Sequence, residues 1–270
     1  MKTLNSMFIS VYTNFLEPYG YKQVKKTPYF VSLVGDEIVK VISCIPRHNM
    51  SKEKGSFSII GKITTTYAFK IDFECMPRNQ DWLTLSDYFA RYKVFTSCED
   101  SLMFDRLFSY SYEKKDSDFE EKMLESAKDT MQTLLVYFSN VKDISSYIEF
   151  SDNYCLPIFV DPEYINKTSK PGDKALFVLA EDMEAYALRS ESFLKRRIER
   201  HKKMCNAGYE GMNEKYIESE INEYELKREE RYLEYRRIFS NNEWIHQVKE
   251  FFYEQKKKNM AYLEKWEILS

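Results

Sequence analysis

A run of nineteen residues from Phe57 to Cys75 constrains the fold more than any other feature of this sequence, because apolar and polar side chains alternate along it. A period of two is typical of a β-strand that buries one face and exposes the other to solvent. At about 3.3 Å per residue, one strand of this length would extend roughly 60 Å, far beyond an ordinary strand. The run is therefore expected to bend or break while keeping one buried face, formed by Phe57, Ile59, Ile63, Tyr67, Phe69, Ile71 and Phe73.

Two places within this run are candidates for the interruption. Gly61 lies on the apolar parity, where a glycine can mark a β-bulge. The threonines from Thr64 to Thr66 offer a second place, where the chain can turn or exchange strands. Both candidates stay open, and the polar parity of the run is expected to face solvent in either case.

The residues before this run predict a helix followed by a hairpin. Apolar side chains recur at helical spacings between Leu4 and Phe15, and the next proline and glycine end that helix. Two runs rich in β-branched and aromatic residues, Tyr29 to Val34 and Ile38 to Ser43, then flank a two-residue turn at Gly35-Asp36. The second run is apolar on both parities, which predicts a central strand.

Later segments predict elements that complete an antiparallel sheet and cover it. Residues 81–92 have helical periodicity, and Phe104 to Tyr112 alternates as an edge strand does. A long helix is expected from Ser117 to Asn140, because Ser117 and Glu120 form a capping box before an apolar stripe. That stripe consists of Phe119, Met123, Ala127, Thr130, Met131, Leu134, Leu135 and Phe138.

Proline and glycine divide the second half of the chain. Residues 162–173 contain Lys170-Pro171-Gly172 and predict a linker between one domain at 1–161 and another at 174–270. We predict an α+β protein, in which an antiparallel sheet covered by helices is followed by an α-helical C-terminal hairpin or three-helix unit. The C-terminal helical segments are expected over residues 173–206, 213–239 and 242–267.

Composition and motifs exclude several classes of protein. A net charge of −3 gives no overall attraction to polyanions. Without a signal-peptide pattern or a long apolar stretch, we expect a cytoplasmic protein with no membrane contact. The five cysteines form no C-x-x-C pair, and no motif of a nucleophile elbow, phosphate loop or zinc protease occurs. The sequence predicts no catalytic residue, no metal and no cofactor, while a site assembled only in three dimensions stays open.

The densest cluster of charge lies between Lys195 and Lys203, where six Lys or Arg residues and one His occur within nine positions. Such a cluster can bind nucleic-acid phosphates, which makes nucleic acid a possible partner. The alternative is a solvated helix whose cations pair with a following Glu-rich segment, which includes Glu218, Glu220, Glu223 and Glu225. The candidate nucleic-acid-binding residues are Lys195, Arg196, Arg197, Arg200, Lys202 and Lys203.

The segment at 213–239 has only a thin apolar stripe interrupted by arginines, which is typical of an exposed or partner-contacting helix. Aromatic and Arg side chains often dominate binding energy, so the candidate partner-binding patch is Tyr224, Arg228, Tyr232 and Tyr235. The sequence thus predicts a non-catalytic interaction or accessory protein that binds a protein partner, or itself, through its C-terminal helices. A nucleic-acid-binding protein or nuclease that uses the basic helix is the alternative.

The first part of the chain resembles a group of uncharacterised bacterial α+β domains, in which a leading helix ends at a Gly-Phe/Tyr-Lys turn before an antiparallel sheet. The resemblance covers at most residues 1–150 and implies an α+β fold without implying an activity. An immunity, defence-associated or phage-encoded role in bacteria is the corresponding hypothesis. The residues that carry the resemblance are Phe8, Val11, Phe15, Leu16, Gly20-Tyr21-Lys22 and Tyr29-Phe30-Val31.

Overall fold

The chain divides by its internal contacts into two units. The sheet unit comprises Met1–Tyr147 and Gln255–Ser270, and the helical unit comprises Ile148–Glu254. The sheet unit therefore contains both ends of the chain. The computed structural model describes residues 3–25, 27–46, 54–67, 71, 73, 110–113, 115–154, 175–206, 208 and 213–269.

Five antiparallel strands form one sheet in the order β1–β2–β3–β4–β5. The predicted hairpin is confirmed, with Val34 paired to Ile38 across a turn of three residues rather than two. Gly35 has a φ of 59°, which glycine adopts without steric cost. β3 is the central strand, as its apolar side chains on both parities predicted. The strands are β1 (Lys22–Gln23), β2 (Tyr29–Val34), β3 (Ile38–Pro46), β4 (Lys54–Thr65) and β5 (Tyr110–Glu113).

The alternating run breaks at its threonines. β4 ends at Thr65, and the N–H of Thr66 donates to the carbonyl of Glu37 at 2.7 Å, which anchors the turn. Gly61 is not a bulge, because the pairing of β3 with β4 continues through it without an extra residue. A Cβ at Gly61 would lie 2.8 Å from Cζ of Phe138. Glycine at this position lets a covering helix approach the strand closely.

Helices pack on one face of the sheet. The predicted first helix is confirmed as α1 (Leu4–Leu16), whose Phe8 ring meets that of Phe30 on β2 at 5.5 Å. The predicted single helix from Ser117 to Asn140 is wrong, because Thr133 at φ −129° and ψ −71° separates two helices. The capping box is also wrong, because the N-cap is Lys115 and no side chain caps this end. The helices that follow the sheet are α2 (Asp116–Gln132), α3 (Leu134–Ser139) and α4 (Ile144–Tyr154).

The other face of the sheet is covered as well. The prediction that the polar residues of the alternating run face solvent is therefore wrong. Ser58, Lys62 and Thr64 on β4 are 4%, 6% and 9% exposed. The reason is tertiary, because the end of the chain packs against this face through Leu263 and Ile268. The apolar cluster there contains Val24, Tyr29, Val31, Val39, Val41, Ile71, Phe73, Leu263 and Ile268.

The alternate apolar residues of the run therefore do not all lie on one face of the sheet. Phe57 contacts Phe119 of α2 at 6.2 Å, on the face that the first helices cover. Ile71 and Phe73 belong instead to the cluster with Leu263 on the opposite face. The two described apolar residues after the turn at Thr66 therefore lie on the face opposite to that of Phe57.

The helical C-terminal region is confirmed. The predicted middle segment is two helices, because Lys227 at φ −92° and ψ 10° interrupts it. Two of these helices begin at an asparagine whose side chain caps the helix. Asn213 accepts a hydrogen bond from the N–H of Tyr216 at 3.0 Å, and Asn241 accepts one from the N–H of Trp244 at 3.1 Å. The helices are α5 (Phe177–Ala180), α6 (Met183–Asn206), α7 (Glu214–Leu226), α8 (Arg228–Ser240) and α9 (Asn242–Lys265).

Several predictions fall on other parts of the chain. The helix at 81–92, the beginning of the predicted edge strand up to residue 109 and the linker at 162–173 lie outside the described residues. The end of that edge strand is described and forms β5 at the edge of the sheet. None of the described helices combines the length and the apolarity that crossing a membrane requires.

Candidate partner-binding groove

An aromatic core fixes α6 against α8 in the helical unit. Tyr186 on α6 packs edge-to-face on Tyr235 of α8 with ring centroids 5.1 Å apart, and it meets Phe177 at 4.6 Å. Tyr186 and Tyr235 are 1% and 8% exposed. Buried aromatic surface of this kind is the main source of packing energy between the two helices.

Glu220 on α7 contacts three side chains, of which Arg197 and His201 lie on α6 and tie the two helices together. One carboxylate oxygen accepts from the Arg197 guanidinium at 2.7 Å and from the Tyr216 hydroxyl at 3.4 Å. The other oxygen is hydrogen-bonded to Nδ1 of His201, whose side chain is 9% exposed. The carboxylate thus binds two α6 residues that lie one helical turn apart. These contacts fix the position of α7 along the axis of α6.

The environment of Glu220 favours its ionised form. Partial burial alone would raise the pKa of this carboxyl, but the hydrogen bonds and positive charge of His201 and Arg197 outweigh burial, so the pKa lies below its ordinary value. A half-buried glutamate stays ionised near neutral pH when donors such as these compensate for its lost hydration. The three side chains therefore act as one structural cluster.

A groove of about 210 Å³ lies beside this cluster, between α6, α7 and the start of α8. Its apolar part comes from Leu194 and Ile198 on α6 and from the ring of Tyr224 on α7. The complete lining is Leu194, Arg197, Ile198, Glu220, Glu223, Tyr224, Lys227 and Arg231.

The charged groups around the groove already have partners within the chain. Arg197 is bound by Glu220, and Lys227 pairs with Glu223 at 2.7 Å. Arg231 donates to the carbonyl of Tyr224 at 2.6 Å, and its guanidinium lies 4.5 Å from the centre of that tyrosine ring. Two ion pairs and the bound Arg231 therefore surround the apolar lining, so the groove offers apolar surface with a polar edge that carries one net positive charge.

The predicted partner-binding patch is divided by the structure. Tyr224 lines the groove, whereas Tyr235 is buried in the aromatic core. Arg228 and Tyr232 both contact Oε1 of Glu191 on α6, each at 3.3 Å. Of these four residues, Tyr224 lines the groove described above, and sequence reasoning missed the neighbouring Leu194 and Ile198.

The residues of the predicted nucleic-acid-binding cluster point in different directions, and some of them are bound or buried within the chain. Arg197 turns toward Glu220, and the Nε of Arg200 is buried without a hydrogen bond. The pairing of the basic cluster with the Glu-rich segment is thus realised at Arg197. The members that are exposed on the outer face of α6 are Lys195, Arg196, Lys202 and Lys203.

The described residues contain no group of three or more His, Cys, Asp or Glu side chains arranged to hold a metal ion. Comparisons of the chain with family models, with curated proteins and with solved structures find no match. The resemblance of the first 150 residues to uncharacterised bacterial domains therefore stays a prediction.

Proposed function

We propose that this chain is a non-catalytic interaction or accessory protein of the bacterial cytoplasm, with an immunity, defence-associated or phage-encoded role. The groove beside Tyr224 carries the proposal. In this account a protein partner inserts an apolar or aromatic side chain between α6 and α7, where Leu194, Ile198 and Tyr224 contact it.

The size of the groove supports a side chain over a small-molecule substrate. Ligand pockets usually have volumes of roughly 300 to 1,000 Å³, and this groove has about 210 Å³. Anchor residues of protein partners typically fill small, well-packed recesses surrounded by polar groups. The rim of the groove fits that pattern, because its ion pairs surround the apolar lining with polar groups.

A variant that fills the groove tests the proposal. Leu194→Trp is expected to abolish retention of the partner by full-length tagged protein recovered from its native host, because the indole occupies the recess. Leu233→Trp on α8 is the matched control, since Leu233 is 63% exposed and does not line the groove. Far-UV circular dichroism and thermal melting establish that both variants fold.

Two results would count against this function. One is equal retention of the same partner by Leu194→Trp and Leu233→Trp, which would remove the groove from the interface. The other is the absence of any protein retained by the wild type after chemical cross-linking in the host. Either result would contradict the proposed function without contradicting the fold described for the helical unit.

A second candidate function, nucleic-acid binding, is supported by a separate observation. Lys195, Lys202 and Lys203 are exposed on α6 and form no ion pair within the described part of the chain. Each phosphate contact lowers affinity by about one further power of ten for each tenfold rise in salt. Neutralising these lysines and Arg196 is expected to abolish a mobility shift with DNA or RNA, whereas Arg197→Gln leaves it largely intact. No shift at low salt with the wild type would remove this candidate.

A further inference from the structure

We infer that the groove binds the C-terminal residue of a partner protein, with its apolar side chain against Leu194 and Ile198 and its free carboxylate on Arg231. This inference rests on the proposed function, because it identifies the part of the partner that enters the same groove. The first argument is charge. Three cations and two carboxylates line the groove, so its net charge is +1. An occupant with one negative charge therefore complements it.

The unbalanced positive charge lies on Arg231. The other two cations of the lining, Arg197 and Lys227, each have a carboxylate partner. Arg231 instead donates to the carbonyl of Tyr224, and no carboxylate of the described part of the chain forms an ion pair with it. Because that carbonyl is neutral, the hydrogen bond leaves the charge of the guanidinium uncompensated.

The guanidinium of Arg231 is held in place while most of its donors remain available. Its centre lies 4.5 Å from the centre of the Tyr224 ring, so a cation–π contact and one hydrogen bond both restrict it. An arginine has five N–H groups in a planar fork, and one of them is engaged here. The side chain is also partly exposed. A fixed fork of this kind binds a carboxylate through two parallel hydrogen bonds.

The charged and apolar parts of the groove adjoin each other at Tyr224, whose ring lines the groove and lies under Arg231. The groove has a volume of about 210 Å³, which suits a single residue. That residue must supply both an apolar side chain and a carboxylate. In a protein the C-terminal residue has both groups on one Cα, whereas an internal aspartate or glutamate has the carboxylate in place of the apolar side chain.

A free apolar amino acid has the same two groups but fits the charge of the groove less well. Its ammonium group makes it neutral overall, so it does not balance the net charge of +1. A chain terminus has a peptide bond in place of that ammonium and therefore brings one full negative charge. Charge complementarity thus favours the terminus of a partner protein.

Titrations of the purified full-length protein with short peptides, followed by ligand-observed NMR, test the inference. The probe is acetyl-Gly-Ser-Gly-Ser-Leu, prepared as the free acid and as the C-terminal amide. The acid is expected to bind about tenfold or more tightly than the amide, because it makes charged hydrogen bonds. The same acid ending in Ser, and free leucine, should both bind more weakly. Equal binding of acid and amide, or no binding of the acid, would overturn the inference.

Variants of the groove locate the binding. Arg231→Gln is expected to remove the preference for acid over amide, and Arg231→Lys to keep part of it, because lysine retains the charge without the fork. Arg236→Gln is the matched control, since it makes the same change at an exposed position of α8 outside the groove lining. Leu194→Trp should abolish binding of both peptides. An acid preference that survives Arg231→Gln, or peptide binding that survives Leu194→Trp, would overturn the inference. Circular dichroism establishes that each variant folds.

Retention of the partner in the native host separates this inference from the proposed function. If Leu194→Trp loses the partner while Arg231→Gln and Arg236→Gln retain it equally, the groove stays the interface and the inference of a C-terminal carboxylate is overturned. If the acid peptide binds through Arg231 but the wild type retains no protein in the host, the chemistry assigned to the groove is supported and the proposed function fails.

Discussion

The sheet unit and the helical unit hold their helices in different ways. In the sheet unit, helices meet strands through apolar surface, as where Phe8 packs on Phe30 and Phe57 packs near Phe119. In the helical unit, an aromatic core at Tyr186 is supplemented by carboxylates that bind across helices. Apolar burial depends little on pH or salt, whereas half-buried ion pairs depend on both. The unit with the candidate interfaces is therefore the one whose stability solution conditions should change more.

The largest expected effect tests the apolar side of this comparison. Phe57→Ala removes a fully buried ring that stacks on Tyr110 at 5.3 Å, and it should lower the free energy of unfolding by about 3 to 5 kcal/mol. Leu233→Ala, at a 63% exposed position of the helical unit, should change it by less than about 0.5 kcal/mol. Urea denaturation measures both values. Similar losses for the two variants would contradict the assigned core.

A second prediction concerns the most buried ion cluster of the helical unit. Arg189 binds Asp152 and, at 2.6 Å, Glu181, whose side chains are 0% and 10% exposed. Arg189→Met removes the guanidinium that binds both carboxylates and should cost about 3 kcal/mol in urea denaturation. Replacing all three charged residues together, with Asp152→Asn and Glu181→Gln added, should recover much of the loss. A triple variant as unstable as Arg189→Met would show that unbalanced charge is not the cause.

A third prediction concerns a polar contact within the sheet unit, which joins the last turns of α9 to the turn at Thr66. Asn259 is 1% exposed, accepts from the N–H of Ile71 at 3.0 Å and donates to the carbonyl of Thr66 at 2.9 Å. Asn259→Leu leaves two buried backbone groups without this partner and should cost about 2 kcal/mol. Lys258→Leu, at the exposed neighbouring position, should have little effect. Faster amide exchange along the turn at Thr66 would accompany the loss in Asn259→Leu only.

The smallest effect concerns pH and the Glu220 cluster. Because hydrogen bonds lower the pKa of Glu220 in the folded chain below its ordinary value of 4.5, its contribution is present above about pH 4.5 and is lost as the pH falls through the folded-state value. Glu220→Gln should cost about 1 kcal/mol near neutral pH and flatten this acid dependence. Exposed Glu229→Gln should preserve it. Thermal melts across the acid range check both, and an unchanged acid dependence in Glu220→Gln would refute the assignment.

Local periodicity predicted those parts of the fold whose structure is set by neighbouring residues. The first helix, the hairpin at Gly35 and the central position of β3 follow from spacing and β-branched composition. The prediction that the polar side of the alternating run faces solvent was wrong. Leu263 and Ile268, at the far end of the chain, cover that face of the sheet, and no local sequence pattern indicates this. The breaks at Thr133 and Lys227 were missed because neither is marked by proline or glycine.

The candidate site was predictable only in part. Tyr224 was identified from its residue type, but Leu194 and Ile198 have the spacing of an ordinary apolar stripe, and the recess exists only where three helices meet. The pairing of Arg197 with Glu220 was foreseen as a possibility from opposite charge alone. The participation of His201 was not, because no local pattern in the sequence selects it as a second partner of that carboxylate.

Photo-cross-linking inside the native host tests the central claim most directly. A benzophenone amino acid at Ile198, in the groove, is expected to give a covalent adduct with one partner protein, whereas the same group at exposed Leu233 gives none. The adduct should disappear when Leu194→Trp is introduced together with the probe. Equal adducts from positions 198 and 233, or none from position 198, would contradict the assignment of the groove as the partner-binding site.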